Sequence, residues 1–500
     1  MEKKLPNIII FNPDQWRGDV LAHMGNPGAV TPNLDRFAAT EGVSFRNAFC
    51  QNPVCTPSRC SFMSGWYPHV RGHRSMARML HQPDDNNLLK LLKDNGYTVW
   101  WGGKNDLVPG QLGFEEYADV KYARGYGEIL DPDVKPPEHP LYPPARREDC
   151  AGNGEFYSFY RGKIEKGDAP YARDWDWANV EGAVDYIRNY KDEKPLCLFL
   201  AIAYPHPPYS VEDPWYSLID RGKIPPRAPG PESCQGKCGF MKAYHDRIEC
   251  GDWPEERWRE LRGVYYGQCA RVDHQFGMVV DALKEAGMYD DSAVFFFPDH
   301  GDFTGDYNLV EKHQICFEDC LTRVPFLIKP PAGVAVQPGT REAMVELIDF
   351  PATVENLTGL KLPHPHFGRS LLPVLAGGTD NHRDAVFCEG GRLEEETYVA
   401  YADMRKPPTP DGVYWPKVSL QQERLEFLGK AVMVRNRRYK LVKRLYEADE
   451  LYDLERDPGE LKNVYGKPEY EEARRDMEDR LLKYYLETSD VVPSGHDNRE

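Results

Sequence analysis

Residues 52–68 read Asn-Pro-Val-Cys-Thr-Pro-Ser-Arg-Cys-Ser-Phe-Met-Ser-Gly-Trp-Tyr-Pro, and this stretch is the most informative in the chain. It places Cys55 two residues before a proline and four before Arg59. Because the proline disfavours helical backbone at Thr56, the sequence predicts an extended turn at Cys55 and a helix that begins at Ser58. The thiol would then lie at a helix N-terminus, where unpaired amide donors attract anions such as sulfate or phosphate.

Short apolar runs elsewhere in the chain predict buried strands that alternate with helices. The runs rich in β-branched or aromatic residues, each typical of a buried parallel strand, are residues 8–11, 97–101, 196–203 and 294–297. Residues 88–93 and 272–283 carry the apolar spacing of helices. This alternation predicts a mostly parallel sheet with helices on both faces.

Acidic residues follow two of these predicted strands. Asp14 and Gln15 come after the first strand, and Asp299 and His300 come after the last. Such strand ends form the ligand-binding edge of an open α/β sheet. Asp14 alone is also typical of a turn, but two neighbouring carboxylates repel each other unless a cation lies between them. Together with Cys55, these residues therefore favour a metal site.

The run Cys-Thr-Pro-Ser-Arg at residues 55–59, followed by Ser-Gly and Tyr-Pro at residues 64–68, resembles the type I sulfatases of the alkaline phosphatase superfamily. The resemblance implies an α/β catalytic domain over residues 1–380, with a large, mostly parallel, alkaline phosphatase-like sheet. It also implies a smaller C-terminal α+β subdomain with an antiparallel sheet over residues 381–500. Residues 432–434 and 439–442 in that region read as a hairpin.

The resemblance further implies that a separate maturation enzyme oxidises Cys55 to formylglycine, whose hydrate is the nucleophile. The substrate would be a small sulfate ester. A divalent metal would be held by Asp14, Gln15, Asp299 and His300, with the modified Cys55 completing the set. Many relatives carry aspartate where this chain has Gln15. Calcium is the metal usual in the family, and the histidine ligand leaves Mn²⁺ or Mg²⁺ open.

Basic residues at loop positions complete the predicted catalytic set. In the family, an arginine and two lysines hold the sulfate and the nucleophile, which here implies Arg59, Lys104 and Lys312. His206, in a proline-rich loop after the strand at 196–203, matches a histidine that contacts the sulfate and the leaving-group oxygen. Either His206 or Lys312 would protonate the departing alcohol. Singly, each lysine also fits an ordinary surface charge.

Asp106 marks a departure from the family, because relatives carry a histidine two residues after the lysine equivalent to Lys104. That histidine assists collapse of the covalent intermediate, and a carboxylate can act as a base if its pKa suits. The assignment of the base therefore stays open. Further candidates for substrate binding are residues that follow the nucleophile helix or Lys312, namely His69, His73, Arg74 and His313.

Charge, hydropathy and the tyrosine content of one segment bear on the partners, the location and the substrate of the protein. The net charge of −17 argues against a nucleic-acid partner. The apolar run at 8–11 is too short for a signal peptide or membrane span, so we expect a cytoplasmic protein without a membrane partner. Residues 117–160 are rich in tyrosine, which favours stacking on sugar rings and hence a sulfated carbohydrate.

Three alternatives remain at this point. The first is a phosphonate monoester or phosphodiester hydrolase of the same superfamily, which would share the nucleophile. The second is a metal-stabilised binding protein in which Cys55 stays a thiol. The third is an additional zinc site built from Cys234, Cys238, His245 and Cys250. The spacing of these four residues fits no common zinc-binding pattern.

Overall fold

The computed structural model describes residues 4–80, 85–122, 156–172, 174–396 and 409–491. In chain order the strands are β1 Asn7–Asp14, β2 Val43–Phe49, β3 Thr98–Gly103, β4 Val120–Tyr122, β5 Tyr160–Ile164, β6 Leu196–Pro205, β7 Tyr209–Glu212, β8 Ser292–Phe296, β9 Arg323–Val324, β10 Leu327–Lys329, β11 Gly339–Glu346, β12 Val386–Gly390, β13 Ala431–Arg435, β14 Tyr439–Arg444 and β15 Glu450–Asp453. The helices are α1 Pro32–Thr40, α2 Cys55–Ser64, α3 Pro68–Arg71, α4 Leu88–Asp94, α5 Trp175–Asn189, α6 Trp215–Leu218, α7 Gly239–Arg247, α8 Glu255–Glu285, α9 Asp319–Thr322, α10 Asp349–Thr358, α11 Leu372–Leu375, α12 Trp415–Glu423 and α13 Glu471–Thr488.

The large sheet has the strand order β11-β2-β10-β8-β1-β6-β3-β4, with β9 paired to β2. The pairs around β1, which are β1 with β6, β1 with β8 and β3 with β6, are all parallel. Strand β10 runs antiparallel between β8 and β2. The predicted mostly parallel sheet is therefore confirmed, and its central strands end on the same edge.

Helices cover both faces of this sheet, as the alternation of strands and helices predicted. Ile9 and Phe11 of β1 face one apolar core, where Phe11 packs edge-on against Phe276 of α8. Ile8 and Ile10 face the opposite core, which includes residues of α2 and α10. Successive side chains on a strand point to opposite faces, so an unbroken apolar run is what a strand buried on both sides requires.

The C-terminal part contains the predicted antiparallel sheet, with the order β12-β13-β14-β15. The hairpin of β13 and β14 confirms the pattern at 432–442. Helix α13 packs on this sheet through Met477, Leu481 and Tyr484, which share one core with Val434 and Leu441. The division of the chain near residue 380 stays a prediction.

The helix that carries Cys55 begins earlier than the sequence predicted. Helix α2 starts at Cys55, whereas the expected start was Ser58. Pro57 is its third residue, in the first turn, where a backbone N–H has no partner inside the helix and its loss costs little. The first hydrogen bond of the helix joins the Ser58 N–H to the Val54 carbonyl at 3.3 Å. Cys55 therefore lies within the first turn.

The predictions about the tyrosine-rich stretch and about membrane spans can be compared only with the residues that the structure describes. Most of the tyrosine-rich stretch at 117–160 lies outside them, so its predicted contact with sugar rings stays a prediction. Within the described ranges, no helix combines the length and the apolar character needed to cross a membrane.

Candidate active site and metal centre

The carboxyl-terminal edge of the central strands brings four predicted residues together. Asp14 ends β1, Asp299 and His300 follow β8, and Cys55 opens α2. The Cys55 Sγ lies 3.3 Å from His300 Nε2 and 3.7 Å from Asp14 Oδ1. One ligand atom from each of the four residues lies within 4.8 Å of the others, and all four side chains are buried. This arrangement is a candidate metal centre.

The orientation of His300 suits a metal ligand. Its Nδ1 lies 2.9 Å from the Gly301 carbonyl, which can only accept a hydrogen bond, so Nδ1 carries the proton in the neutral ring. The Nε2 lone pair is then directed at the cluster. Burial lowers the pKa of His300 against the opposing charge of Asp299. The donor set, two carboxylates and an imidazole, thus fits a divalent cation.

Arg59 binds the acidic pair directly. Its guanidinium donates to Asp299 and Asp14, each at 2.9 Å, and to Asn12 at 2.7 Å. Arg59 is fully buried, and the Ser58 hydroxyl adds a hydrogen bond to the Asp299 carbonyl. The resemblance implies that Arg59 helps to hold the sulfate and the nucleophile. In the structure its guanidinium fixes the two carboxylates, and its role toward substrate stays a prediction.

The backbone before Lys104 depends on Gly103, because any residue with a side chain at that position would have to displace the neighbouring strand. Gly103 has a φ of +83°, and a Cβ there would lie 2.0 Å from the Ala201 carbonyl oxygen. That same carbonyl accepts the Lys104 N–H at 2.7 Å. The Lys104 Nζ then donates to Asp14 at 2.6 Å and to Cys55 Sγ at 3.3 Å.

Asp106, which stands in place of the family histidine, pairs with Lys104 at 3.0 Å. Burial alone would raise the pKa of Asp106, but Lys104 and Arg59 outweigh it and keep the pKa below the ordinary aspartate value. The carboxylate is therefore ionised near neutral pH and could accept a proton. Its role as the base stays a prediction.

Gln15 and Lys312 contact each other beside the cluster. The Gln15 amide donates to Asp302, and its oxygen accepts from the Lys312 ammonium. Gln15 as a metal ligand stays a prediction, because its oxygen already contacts Lys312. Lys312 also pairs with Glu311 at 2.9 Å. Burial opposes the charge of Lys312, but Cys55 and Glu311 outweigh it and raise the pKa above the ordinary lysine value.

His206 lies in the loop after β6, and its ring is half-buried. Its Nδ1 lies 2.6 Å from the Pro207 carbonyl, so the neutral ring carries its proton on Nδ1. Burial, assisted by Lys312, lowers the pKa of His206 to about 3. The ring is therefore neutral near pH 7, with Nε2 available as an acceptor.

The four candidates for substrate binding contact other parts of the chain. His69 lies 2.8 Å from Glu389 and 2.9 Å from the Thr488 hydroxyl in the C-terminal part. His313 stacks on Phe240 with ring centroids 3.5 Å apart. Of the remaining two, His73 has its Nε2 atom 3.7 Å from the Asp85 carboxylate, and Arg74 forms an ion pair with Glu396. Contact of these four residues with substrate stays a prediction.

Sequence reasoning did not single out several residues of the site. Asn12 lies two residues before Asp14 on β1, and this position could have been read from the strand. Glu311 precedes Lys312 directly and could have been noticed beside it. No signal pointed to Lys417, which contacts Glu311 from more than one hundred residues away. Among the described residues, Cys234, Cys238, His245 and Cys250 do not form a cluster with metal-ligand spacing.

Burial also sets the state of Cys55. The side chain is 1% exposed, and burial, with a further contribution from Asp14, raises the pKa of the thiol to about 12. An unmodified thiol would therefore be protonated near neutral pH, and the thiolate, rather than the thiol, is the reactive form of cysteine.

Comparison with known proteins places this site in a family. A family model described as Sulfatase matches residues 6–360, and a second, described as N-sulphoglucosamine sulphohydrolase, C-terminal, matches residues 422–487. The chain is 27% identical to the multifunctional alkaline phosphatase superfamily protein PehA of Trinickia caryophylli, covering 97% of this chain and 96% of that protein. It is 22% identical to an N-acetylglucosamine-6-O-sulfatase of Bacteroides thetaiotaomicron, with 98% and 88% covered.

A solved structure shows the same fold. The phosphonate monoester hydrolase of Agrobacterium radiobacter superposes with a TM-score of 0.74 at 22% identity, over 99% of this chain and all of that one. The Sulfatase match extends over most of the chain and includes every residue of the candidate metal centre and the two lysines beside it. The chain therefore belongs to the sulfatase family within the alkaline phosphatase superfamily and is a sulfuric ester hydrolase.

Proposed function

We propose that the protein hydrolyses the sulfate ester of a carbohydrate, with formylglycine at position 55 and a divalent cation beside it. The observation that carries the proposal is the convergence of Cys55, Asp14, Asp299 and His300 at one buried point. Lys104 contacts both the thiol and Asp14 there. Fixed positive charge next to a nucleophile is what a sulfuryl group requires, because charge on its oxygens must be stabilised during transfer.

Cation and modified side chain would each supply one part of the chemistry. Asp14, Asp299, His300 and residue 55 would hold the cation, with Gln15 as a fifth candidate. When bound, the cation lowers the pKa of a hydroxyl on the formylglycine hydrate, which provides the nucleophile. Calcium is the expected ion, with Mn²⁺ or Mg²⁺ as alternatives. The partner required is a formylglycine-generating enzyme that acts on Cys55.

The chain's own residues then divide the remaining tasks. Lys104 and Lys312 supply positive charge toward the sulfuryl oxygens. Of the two candidate proton donors, Lys312 is favoured, because its ammonium is protonated near neutral pH. Neutral His206 has its single proton on Nδ1, directed at the Pro207 carbonyl, so its Nε2 accepts hydrogen bonds from the substrate instead.

A carbohydrate substrate is supported by the relatives. One matched relative is by name an N-acetylglucosamine-6-O-sulfatase, and its match extends over 98% of this chain. The second family model is named after an N-sulphoglucosamine sulphohydrolase and matches the C-terminal part.

Phosphonate monoester hydrolysis is the second candidate. It is favoured by the structural match to the Agrobacterium radiobacter enzyme and by the neutral Gln15 at a position where many sulfatases carry aspartate. The test is to assay a sulfate ester and a phenylphosphonate ester of the same alcohol in parallel, followed by a panel of sulfated monosaccharides. We expect the higher kcat/KM for the sulfate ester. A higher value for the phosphonate would reverse the order of the two candidates.

Removal of the cation should weaken the fold as well as catalysis. A cation present at 100 times its Kd adds about 2.7 kcal/mol to the free energy of unfolding, since it binds only the folded state. We expect EDTA to abolish turnover and lower Tm, and Ca²⁺ to restore both. Asp299→Asn should remove most of the Ca²⁺-dependent shift in Tm. Asp306→Asn, which alters a buried aspartate paired with Arg17 outside the cluster, should keep that shift. Equal shifts in the two variants would contradict the site.

A further inference from the structure

Helix α12, in the C-terminal part of the chain, carries a buried lysine that contacts Glu311 and Lys312. Lys417 is 2% exposed, and its Nζ donates to the Glu311 carboxylate and, at 3.2 Å, to the Lys312 carbonyl. Its Nζ also lies 5.2 Å from the centre of the Tyr414 ring. Both hydrogen-bond acceptors of Lys417 thus belong to Lys312 or to the residue before it.

Glu311 is held in a restricted conformation between the two lysines. Its φ is +65°, a region that residues other than glycine rarely occupy, and its N–H donates to the Tyr209 hydroxyl at 3.0 Å. One carboxylate oxygen accepts from Lys417 and from the Lys312 N–H, while the other lies 2.9 Å from the Lys312 ammonium. The carboxylate is 1% exposed, so it cannot exchange these partners for water.

We propose that Glu311 and Lys417 are positioning residues for Lys312. Lysine is a flexible point charge whose location must be fixed by its surroundings. Because Lys417 occupies one oxygen of Glu311, the other oxygen and the Gln15 amide oxygen set the place of the Lys312 ammonium. Without Lys417, Glu311 becomes free to rotate and to draw the ammonium away from the cluster. The inference rests on the proposed function, in which Lys312 protonates the departing alcohol.

The test compares substrates whose leaving groups differ in how much they depend on proton donation. Aryl sulfates of rising phenol pKa depend increasingly on proton donation, and general acid catalysis contributes about 100-fold to 10,000-fold. We expect Lys417→Met and Glu311→Gln to lower kcat/KM by about 10-fold to 100-fold for the poorest leaving group, and far less for 4-nitrophenyl sulfate. Lys417→Arg should restore part of this loss. Formylglycine occupancy, measured by peptide mass spectrometry, must be equal in all variants.

Lys440→Met is the matched control. Lys440 is also fully buried and also donates to a carboxylate and a backbone carbonyl, those of Asp319 and Phe317, without contacting the catalytic lysine. It should lower Tm yet leave the leaving-group dependence unchanged. A uniform loss across the series in Lys417→Met, or the same change of slope in Lys440→Met, would overturn the inference.

A second measurement does not depend on turnover. Brief treatment with an amine-reactive ester, followed by peptide mass spectrometry, reports how firmly Lys312 is held. We expect several-fold greater labelling of Lys312 in Lys417→Met than in the wild type or in Lys440→Met. Unchanged labelling would contradict the positioning role. If the wild type cleaves none of the sulfate esters, the proposed function fails, and the labelling result still decides whether Lys417 holds Lys312.

Discussion

Cys55→Ala should reduce kcat for sulfate ester hydrolysis by at least about 10,000-fold, because loss of a catalytic nucleophile leaves only binding and electrostatic stabilisation. The change is small sterically, so a folded protein is expected. The measurement is single-turnover and steady-state hydrolysis of 4-nitrophenyl sulfate with protein purified from cells that contain the maturation enzyme. Peptide mass spectrometry of the wild type should show a residue at position 55 lighter than cysteine.

Cys60 offers a matched control for this substitution. It lies in the same helix, is equally buried, and its Sγ contacts the Leu107 carbonyl at 3.9 Å. Cys60→Ala should retain kcat close to wild type, with a small loss of stability from the vacated volume. Full turnover by Cys55→Ala, or equal loss in both variants, would remove Cys55 from the mechanism.

Arg59→Ala should cost about 3–5 kcal/mol of unfolding free energy, because it leaves Asp14 and Asp299 buried without their guanidinium partner. The loss is expected to be largest in the presence of a chelator, since a bound cation would neutralise part of the same charge. Turnover should fall at least about 100-fold, which is what a displacement of about 1 Å in reacting groups produces. Urea unfolding with and without Ca²⁺, together with kcat, checks both parts.

Arg383 provides the comparison for Arg59. It is also buried and pairs with two carboxylates, those of Glu346 and Asp349, outside the candidate metal centre. Arg383→Ala should lose comparable stability, but its unfolding should show an undiminished response to Ca²⁺ and its folded fraction should keep normal kcat. If Arg59→Ala behaves in the same way as Arg383→Ala, the guanidinium has only a structural role.

Much of the fold could be predicted because its strands carry local signals. Strand β1 lies between the two apolar cores, so residues 8–11 must be apolar on both faces of the strand. The hairpin at 431–444 consists of two strands joined by a polar turn, which is also a local pattern. The expected start of α2 at Ser58 is wrong because the prediction gave too much weight to the restriction that Pro57 places on the backbone of Thr56. In the first turn of a helix the missing donor of proline costs little, so the helix begins at Cys55.

The convergence of the candidate metal ligands was predictable for a topological reason. Asp14 ends β1 and Asp299 follows β8, and these two strands are parallel neighbours that end at one edge of the sheet. The partners of Gln15 and Lys312 were not predictable, because they depend on side-chain packing between distant segments. Lys417 is the clearest example, since its neighbours in sequence form an ordinary short helix.

The depth of Cys55 has a consequence for the order of events in the cell. Cys55 is 1% exposed and lies within the first turn of a helix, so it cannot enter the cleft of another protein while the chain is folded. A catalyst that converts this thiol would therefore have to capture the segment during or soon after translation. The rate at which the newly made chain collapses would then set an upper limit on the fraction of molecules that become active.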